Sequence, residues 1–320
     1  MNFHLDFPIP SFHQKINYSH SSFFIGSCFA ENMSDLMCKY KFKTHLNPHG
    51  ILYNPLSIAA ALRRYLKIDF VTEGELFFAN DCWNSWEHHS RFSNPDKQKC
   101  LLEINKNISE AHVSLKNTEW LFITFGSAFV YKKNNELVGN CHKQPQKEFS
   151  KQLLVSSEII EEYKFLMAEL KKFNPKLKIV FTISPVRYVR DGVVENSVSK
   201  ARLIDSVHQL ISENVFYFPA YELVIDDLRD YRFYKDDLVH PNEQAIAYVF
   251  EKFCTTGFDE KTSGLLGKIK EILAAKEHKP FNSETEGHKN FKATYLERCI
   301  KLQNENPLLD LSDEVKYFSL

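Results

Sequence analysis

Phe23-Phe24-Ile25-Gly26-Ser27-Cys28-Phe29-Ala30 is the stretch that decides the fold. Three bulky residues in a row read as the end of a buried strand, and Gly26 then permits a tight bend. Beyond the bend Phe29, Met33, Leu36, Met37 and Tyr40 recur at three- and four-residue spacing, with Glu31, Asn32 and Asp35 between them. That period predicts an amphipathic helix from about Phe29 to Tyr40, packed on a sheet by one face. Ser27 therefore stands at a strand-to-helix corner. There the free N–H groups and dipole of the helix N-terminus favour developing negative charge.

Working outward, the same alternation continues. Strands are expected at Phe42 to Leu46, Trp120 to Gly126, Lys178 to Ile183 and Val215 to Phe218. Helices are expected at Leu56 to Leu66, Leu101 to Leu115, Lys151 to Phe173, Ser199 to Ser212 and Glu243 to Phe253. Strands alternating with helices predict a three-layer α/β/α sandwich with a mainly parallel sheet, its functional residues at the carboxyl ends of the strands. Two interruptions stand out. Residues 68–100 form an insertion with Cys82, Trp83, Trp86, His88 and His89, read either as lining a substrate cleft or as packed by its own tryptophans. Phe129-Val130-Tyr131 and Leu137-Val138, with Asn134-Asn135 at the tip, read as a hairpin. Residues 1–21 are a polar, proline-punctuated arm, residues 22–254 the α/β domain, and residues 255–320 a helical C-terminal extension.

Composition narrows the function classes. Of 320 residues 14% are aromatic and 43% hydrophobic, enough for a large core. Lys+Arg number 40 against Asp+Glu 41 with no long basic run, so nucleic acid is not an expected partner. No apolar run approaches the ~20 residues that span a bilayer, and Met1 to Pro8 lacks the features of a secretory signal. Seven cysteines, an odd number scattered along the chain, do not make a disulfide framework. A soluble cytoplasmic protein, with no membrane partner, is the expectation.

At Gly26-Ser27-Cys28-Phe29-Ala30 the sequence resembles the GSCFA domain family, whose signature those residues spell. Asn47-Pro48-His49-Gly50-Ile51-Leu52-Tyr53-Asn54-Pro55 resembles its second block and Asn140-Cys141-His142-Lys143 its third. Ser184-Pro185-Val186 with Asn196-Ser197-Val198-Ser199-Lys200 resembles the fourth, and Asp236-Asp237-Leu238-Val239-His240-Pro241 the last. His89-Ser90-Arg91-Phe92-Ser93 resembles a further family element. The family is in turn distantly similar to the SGNH hydrolases (GDSL-like esterases). That similarity implies an SGNH-hydrolase-like fold, cleavage of an ester bond, and carbohydrate O-acyl esters as the substrate class.

Ester cleavage needs a nucleophile, a base, a group that orients the base, and donors for the tetrahedral oxyanion. Ser27 is the candidate nucleophile and His240 the candidate base. Asp237, three residues before His240, is the candidate orienting carboxylate, with Asp236 as its rival. The backbone N–H groups of Ser27 and Gly50 are the expected oxyanion donors. For the remaining donor, where the SGNH pattern has an asparagine soon after a glycine, this chain offers Gly126-Ser127, or Asn140 after the hairpin. His89 and His142 are expected to line the cleft. Arg187 and Arg190 either contact an anionic substrate group or are solvated. A thiol nucleophile at Cys28 or Cys141 is the lesser reading, and Cys82, His88, His89, Cys141 and His142 lack the tight spacing of zinc ligands, so neither metal nor cofactor is expected. An acyltransferase using the same residues, and a noncatalytic carbohydrate-binding or interaction module, are the alternative functions.

Overall fold

The computed structural model describes residues 7–319, so the first six residues of the expected arm lie outside it. Strand β1 (Ser21–Gly26) passes through Ser27 into helix α1 (Cys28–Lys39), and β2 (Lys43–Leu46) and α2 (Pro55–Lys67) follow. A short hairpin, β3 (Leu76–Ala79) and β4 (Cys82–Ser85), precedes α3 (Lys97–Asn117) and β5 (Trp120–Phe125). Then come β6 (Phe129–Lys133), β7 (Glu136–Val138), β8 (Ser150–Leu153), α4 (Ser156–Phe173), β9 (Lys178–Ile183), α5 (Val193–His208) and β10 (Val215–Tyr217). A helical turn, α6 (Ala220–Glu222), runs on as a π-helical stretch over Leu223–Leu228 before α7 (Glu243–Gly257). Helices α8 (Glu260–Glu277), α9 (Glu286–Glu305) and α10 (Ser312–Ser319) complete the described chain.

The central sheet has the order β10-β9-β5-β1-β2 with every pair parallel. Alternate residues face opposite sides, as strand geometry demands. Phe23, Ile25, Leu121, Ile123, Ile179 and Phe181 join the core under α2 to α5, whereas Phe24, Trp120, Phe122, Val180 and Phe216 join the core under α1 and α7. The three-layer α/β/α architecture read from the sequence is thus present. Strand β1 has β2 on one side and β5 on the other, and the chain reaches them over opposite faces. The carboxyl end of β1 is therefore the switch point of the sheet, where a crevice opens in folds of this class.

Two element boundaries differ from expectation. Residues Lys151–Leu153, read as the start of a helix, belong with Ser150 to a strand that pairs antiparallel with β6 and makes a three-stranded sheet of order β7-β6-β8. Helix α4 begins only at Ser156, because the open edge of β6 offers Lys151 and its neighbours ladder partners that outweigh local propensity. Helix α5 starts at Val193, not Ser199, directly after Gly192 in a left-handed conformation (φ 110°). It ends at His208, where Ser212 was expected to close it.

The arm and the tail are part of the fold. Phe12, Ile16 and Tyr18 are buried, and the N–H groups of Phe12 and Ile16 donate to the carbonyls of Thr256 and Gly257 at 3.1 and 2.8 Å. Ile269, Ile272, Cys299, Leu302 and Leu311 of the tail share a core with Met33 and Met37 of α1. Glu314 fastens this packing: it is buried between Lys41 (2.7 Å) and Lys276 (2.9 Å). Burial pushes its carboxyl up, but the two lysines outweigh burial and hold it below the ordinary value. A lowered folded pKa means that the contribution is present at neutral pH and is lost as pH falls through that value. Glu314→Gln should cost about 2 kcal/mol at pH 7, less than a fully enclosed pair because both lysines are partly exposed, and the deficit should shrink in acid. Urea unfolding at pH 7 and pH 4 reads both, and an undiminished deficit at pH 4 would refute the ion-pair account. Among the described residues no helix is long and apolar enough to cross a membrane.

Candidate active site

The corner after β1 can be built only with glycine. Gly26 has φ 135°, and a Cβ there would stand 2.1 Å from the Thr124 carbonyl oxygen. Its N–H donates to Asn47 Oδ1 at 2.8 Å and its carbonyl accepts from Leu52 at 3.0 Å, which ties the end of β1 to the loop after β2. Ser27 is 1% exposed and is the N-cap of α1, its Oγ accepting the Phe29 N–H at 3.3 Å. The Ser27 N–H itself donates to the Thr124 carbonyl at 3.1 Å. Cys28 is the first residue of α1 and is half-buried. Burial and the nearby Glu31 push its thiol up, against a smaller opposite pull from Lys200.

The loop after β2 and the insertion close over one another. Gly50 (φ 78°) leaves room for His89, whose Cβ would lie 2.2 Å from any Cβ at position 50. The Gly50 N–H donates to the Asn47 carbonyl at 2.7 Å. Arg91 donates to that carbonyl as well and lies 3.8 Å from Glu31, which also receives Asn47 Nδ2 at 3.3 Å. Beneath them the buried rings of His49 and His88 stack at 3.9 Å, with His49 Nδ1 on the Tyr65 hydroxyl (2.6 Å) and His88 Nδ1 on Ser85 Oγ (2.9 Å). Burial lowers both imidazoles, His49 to about 3, so the pair is neutral. His89 Nδ1 accepts the Arg91 N–H at 3.2 Å. Tyr53 presses its ring on Gly126, and its carbonyl accepts the N–H groups of Gly126 (2.8 Å) and Ser127 (3.0 Å). Its hydroxyl is pushed up to about 12 by burial and by the charges around Cys28, Glu31 and Tyr188.

His240 sits in a tight turn before α7. Asp237 Oδ1 accepts the N–H groups of Val239 (2.8 Å) and His240 (2.9 Å), and its Oδ2 lies 2.6 Å from His240 Nδ1. A carboxylate only accepts, so Nδ1 carries a hydrogen, and in the neutral imidazole Nε2 is the nitrogen with the lone pair. The backbone donors of His240 and Val239 and then the imidazole hold the Asp237 carboxyl down to about 2. Asp237, not Asp236, is thus the partner of His240. Leu238 between them takes φ 58° with its side chain 52% exposed, a strained conformation of the kind that clusters at functional sites. The loop is moored by Arg187, whose N–H donates to the Val239 carbonyl at 3.1 Å while its guanidinium lies 4.4 Å from the Tyr234 ring. Arg187 is therefore a strut of the His240 loop and not a solvated side chain.

Helix α7 ends at Gly257 beside Ile16, at the amino end of the sheet, and Tyr40 of α1 stacks on Phe250 of α7. The two helices run side by side, so their N-termini, and with them Ser27, Cys28 and His240, lie at the carboxyl end. No hydrogen bond joins His240 Nε2 to Ser27 Oγ. The expected backbone donors at Ser27, Gly50 and Gly126 all have carbonyl partners already. Ser127 Oγ accepts the Phe129 N–H at 3.1 Å. Asn140 Oδ1 accepts the His142 N–H at 2.8 Å and so terminates the hairpin. His142 is buried and bonds the Ser85 carbonyl through Nε2 at 2.8 Å, bracing the insertion. Among the described residues no three His, Cys, Asp or Glu side chains form a group that could hold a metal.

Sequence reasoning passed over Lys200. It is 1% exposed and donates to the carbonyls of Gly126 (2.7 Å) and Ser184 (2.6 Å), clamping the loops after β5 and β9 from α5. Burial lowers its amine to about 7. The neighbouring Ser199 Oγ accepts the Ala128 N–H at 2.8 Å, and Asn196 Oδ1 accepts that of Tyr188 at 2.9 Å. The fourth sequence block is thus one helix face that holds two loops of the site. The resemblance of that block to the family pattern was a sequence signal, but it did not single out Lys200.

No curated protein matches the chain. Among solved structures it is similar to a mutant acetyl esterase with acetate ion, at 15% identity and TM-score 0.27, over 48% of this chain and 60% of that one. It is also similar to a carbohydrate esterase family 3 protein from Talaromyces cellulolyticus, at 16% identity and TM-score 0.27, over 50% of this chain and 63% of that one. The chain thus spans less than two thirds of either protein. Residues 269–320 match the GSCFA domain protein, C-terminal domain. Residues 21–253 match the GSCFA family across the sheet, the glycine corner and the His240 loop, and the chain belongs to the GSCFA family.

Proposed function

We propose that the chain cleaves an ester bond, with His240 as general base, Asp237 as its orienting carboxylate, and a nucleophile from the corner after Gly26, where the sequence reading names Ser27. The observation that carries this is the Asp237–His240 pair, joined at 2.6 Å with Nε2 left as acceptor, at the same end of the sheet as the helix N-terminus at that corner. Carbohydrate O-acyl esters are the proposed substrate class, on the sequence resemblance to SGNH hydrolases alone. The buried Ser27 hydroxyl and the engaged backbone donors weigh against a serine nucleophile, and a noncatalytic carbohydrate-binding or interaction module is the alternative.

Release of p-nitrophenol from p-nitrophenyl acetate, and of acetate from acetylated sugars, tests the reading. Wild type should turn over and His240→Ala should lose at least about a hundredfold. Appearance of a transferred ester when free sugar is added would make the protein an acyltransferase. Absence of turnover with calorimetric sugar binding would establish the binding module instead.

A further inference from the structure

We propose that the Arg187 guanidinium is the anion-binding group of the substrate site, and that the ester this chain takes carries a carboxylate. The inference rests on the hydrolase reading above and deepens it by naming the substrate's charge. The backbone of Arg187 moors the His240 loop, its N–H on the Val239 carbonyl at 3.1 Å. The side chain takes no part in that bond. It lies across two rings, with the guanidinium carbon 5.2 Å from the centroid of Tyr231 and 4.4 Å from that of Tyr234. The two rings meet each other at 5.9 Å. Tyr234 also bridges Pro241, the residue after His240, and the Lys235 N–H donates to the His240 carbonyl at 2.8 Å. The guanidinium therefore stands on the same small group of residues that carries the base.

The charges around Arg187 are matched and its own is not. Arg232 lies 3.7 Å from Asp230, Lys235 lies 3.2 Å from Glu243, and Asp237 is held by His240 at 2.6 Å. Arg187 has no carboxylate partner among the described residues. The Tyr234 hydroxyl, which burial pushes up, interacts with it, but one hydroxyl cannot satisfy five N–H groups. Stacking on rings uses the flat face of a guanidinium and leaves its N–H edge for an acceptor. Arg187 is half-buried, so its charge is screened less than at the free surface, while Tyr231 and Leu238 are exposed and leave the approach open.

A carboxylate matches that edge with two parallel charge-assisted hydrogen bonds. The exposed Tyr231 ring beside it offers an apolar face with a polar tip, which suits one face of a sugar ring. An acylated uronate presents both features, whereas the neutral hexose ester presents only the second. Hydrogen bonds to a charged group are worth about tenfold or more in binding. Because the carboxylate takes no part in the bond change, the advantage belongs in KM and not in kcat.

The test compares acetate release by the full chain from an acetylated methyl glucuronoside and from the methyl glucoside acetylated at the same position. Wild type should favour the glucuronoside by about tenfold or more in kcat/KM, through KM, and about 0.5 M salt should shrink that advantage. Arg187→Gln should abolish the preference, and Arg187→Lys, which keeps the charge without the fork, should retain part of it. Equal losses on both substrates in Arg187→Gln, with the preference intact, would overturn the proposal and leave Arg187 a strut alone. A wild type without preference would overturn it and keep the hydrolase reading. Should Arg187→Gln fail to fold, the wild-type salt series decides, and an advantage undiminished by salt overturns the proposal. If neither ester turns over, the hydrolase reading ends, and calorimetric titration with the unacetylated methyl glucuronoside decides the subsite. Binding lost in Arg187→Gln would uphold it, and absence of binding to wild type would end both.

Discussion

Asp237→Asn should lower kcat toward aryl acetates by about three orders of magnitude or more while leaving the melting temperature close to that of wild type. Asn Oδ1 can still accept the N–H groups of Val239 and His240, so the turn survives. The other side-chain atom becomes a donor facing Nδ1. The imidazole must then accept at Nδ1 and carry its hydrogen at Nε2, where it can no longer take a proton from a nucleophile. In wild type the aspartate stays ionised down to about pH 2, so its orienting effect is constant wherever an imidazole titrates. Substitution should therefore scale the pH–rate profile down without adding a new acidic limb. Turnover within a few-fold of wild type would show that Asp237 only shapes the turn, and a large drop in melting temperature would assign the loss to folding.

What the sequence showed of the site follows from how far apart the contributing residues lie. Asp237 and His240 were legible because three residues of one turn suffice to join them, and the glycine corner because Gly26 must take a conformation other residues avoid. The strand-helix alternation was legible for the same local reason. Strand β8 was not: Ser150-Lys151-Gln152-Leu153 has no period of its own and becomes a strand only by pairing with β6. The start of α5 was hidden because Val193 and Val194, exposed β-branched residues, occupy its first turn.

The engagement of the expected oxyanion donors was hidden for the opposite reason. Nothing near Ser27, Gly50 or Gly126 in the sequence reveals whether its N–H is free, and the acceptors come from Thr124, Asn47 and Tyr53. His88 and His89, whose spacing gave no metal site and of which His89 was expected in the cleft, pack against His49 and Gly50. Their role is to seat the insertion on the loop after β2. A polar residue's task in such a fold depends on what the sheet brings to it, and Lys200 shows this most sharply.

In sequence Lys200 is one more polar residue of an amphipathic helix, yet it is the only lysine among the fully buried large side chains of the described chain. A neutral amine has two hydrogens, and the Gly126 and Ser184 carbonyls at 2.7 and 2.6 Å take both. With a folded pKa of about 7 against 10.5 for a free lysine, the unfolded chain binds the extra proton between those values. Stability from this group must then rise with pH from about 7 to about 10 and be flat below 7. Lys200→Met fills the same volume but leaves two buried carbonyls without donors, a loss of about 2 to 4 kcal/mol. Because methionine does not titrate, the gap between wild type and variant should be smallest near pH 6.5 and widen toward pH 9.5. Urea unfolding at the two pH values measures it. A gap independent of pH would mean that the amine is buried as an ammonium ion. A variant as stable as wild type at both would remove the clamp from any account of how the loops after β5 and β9 are held.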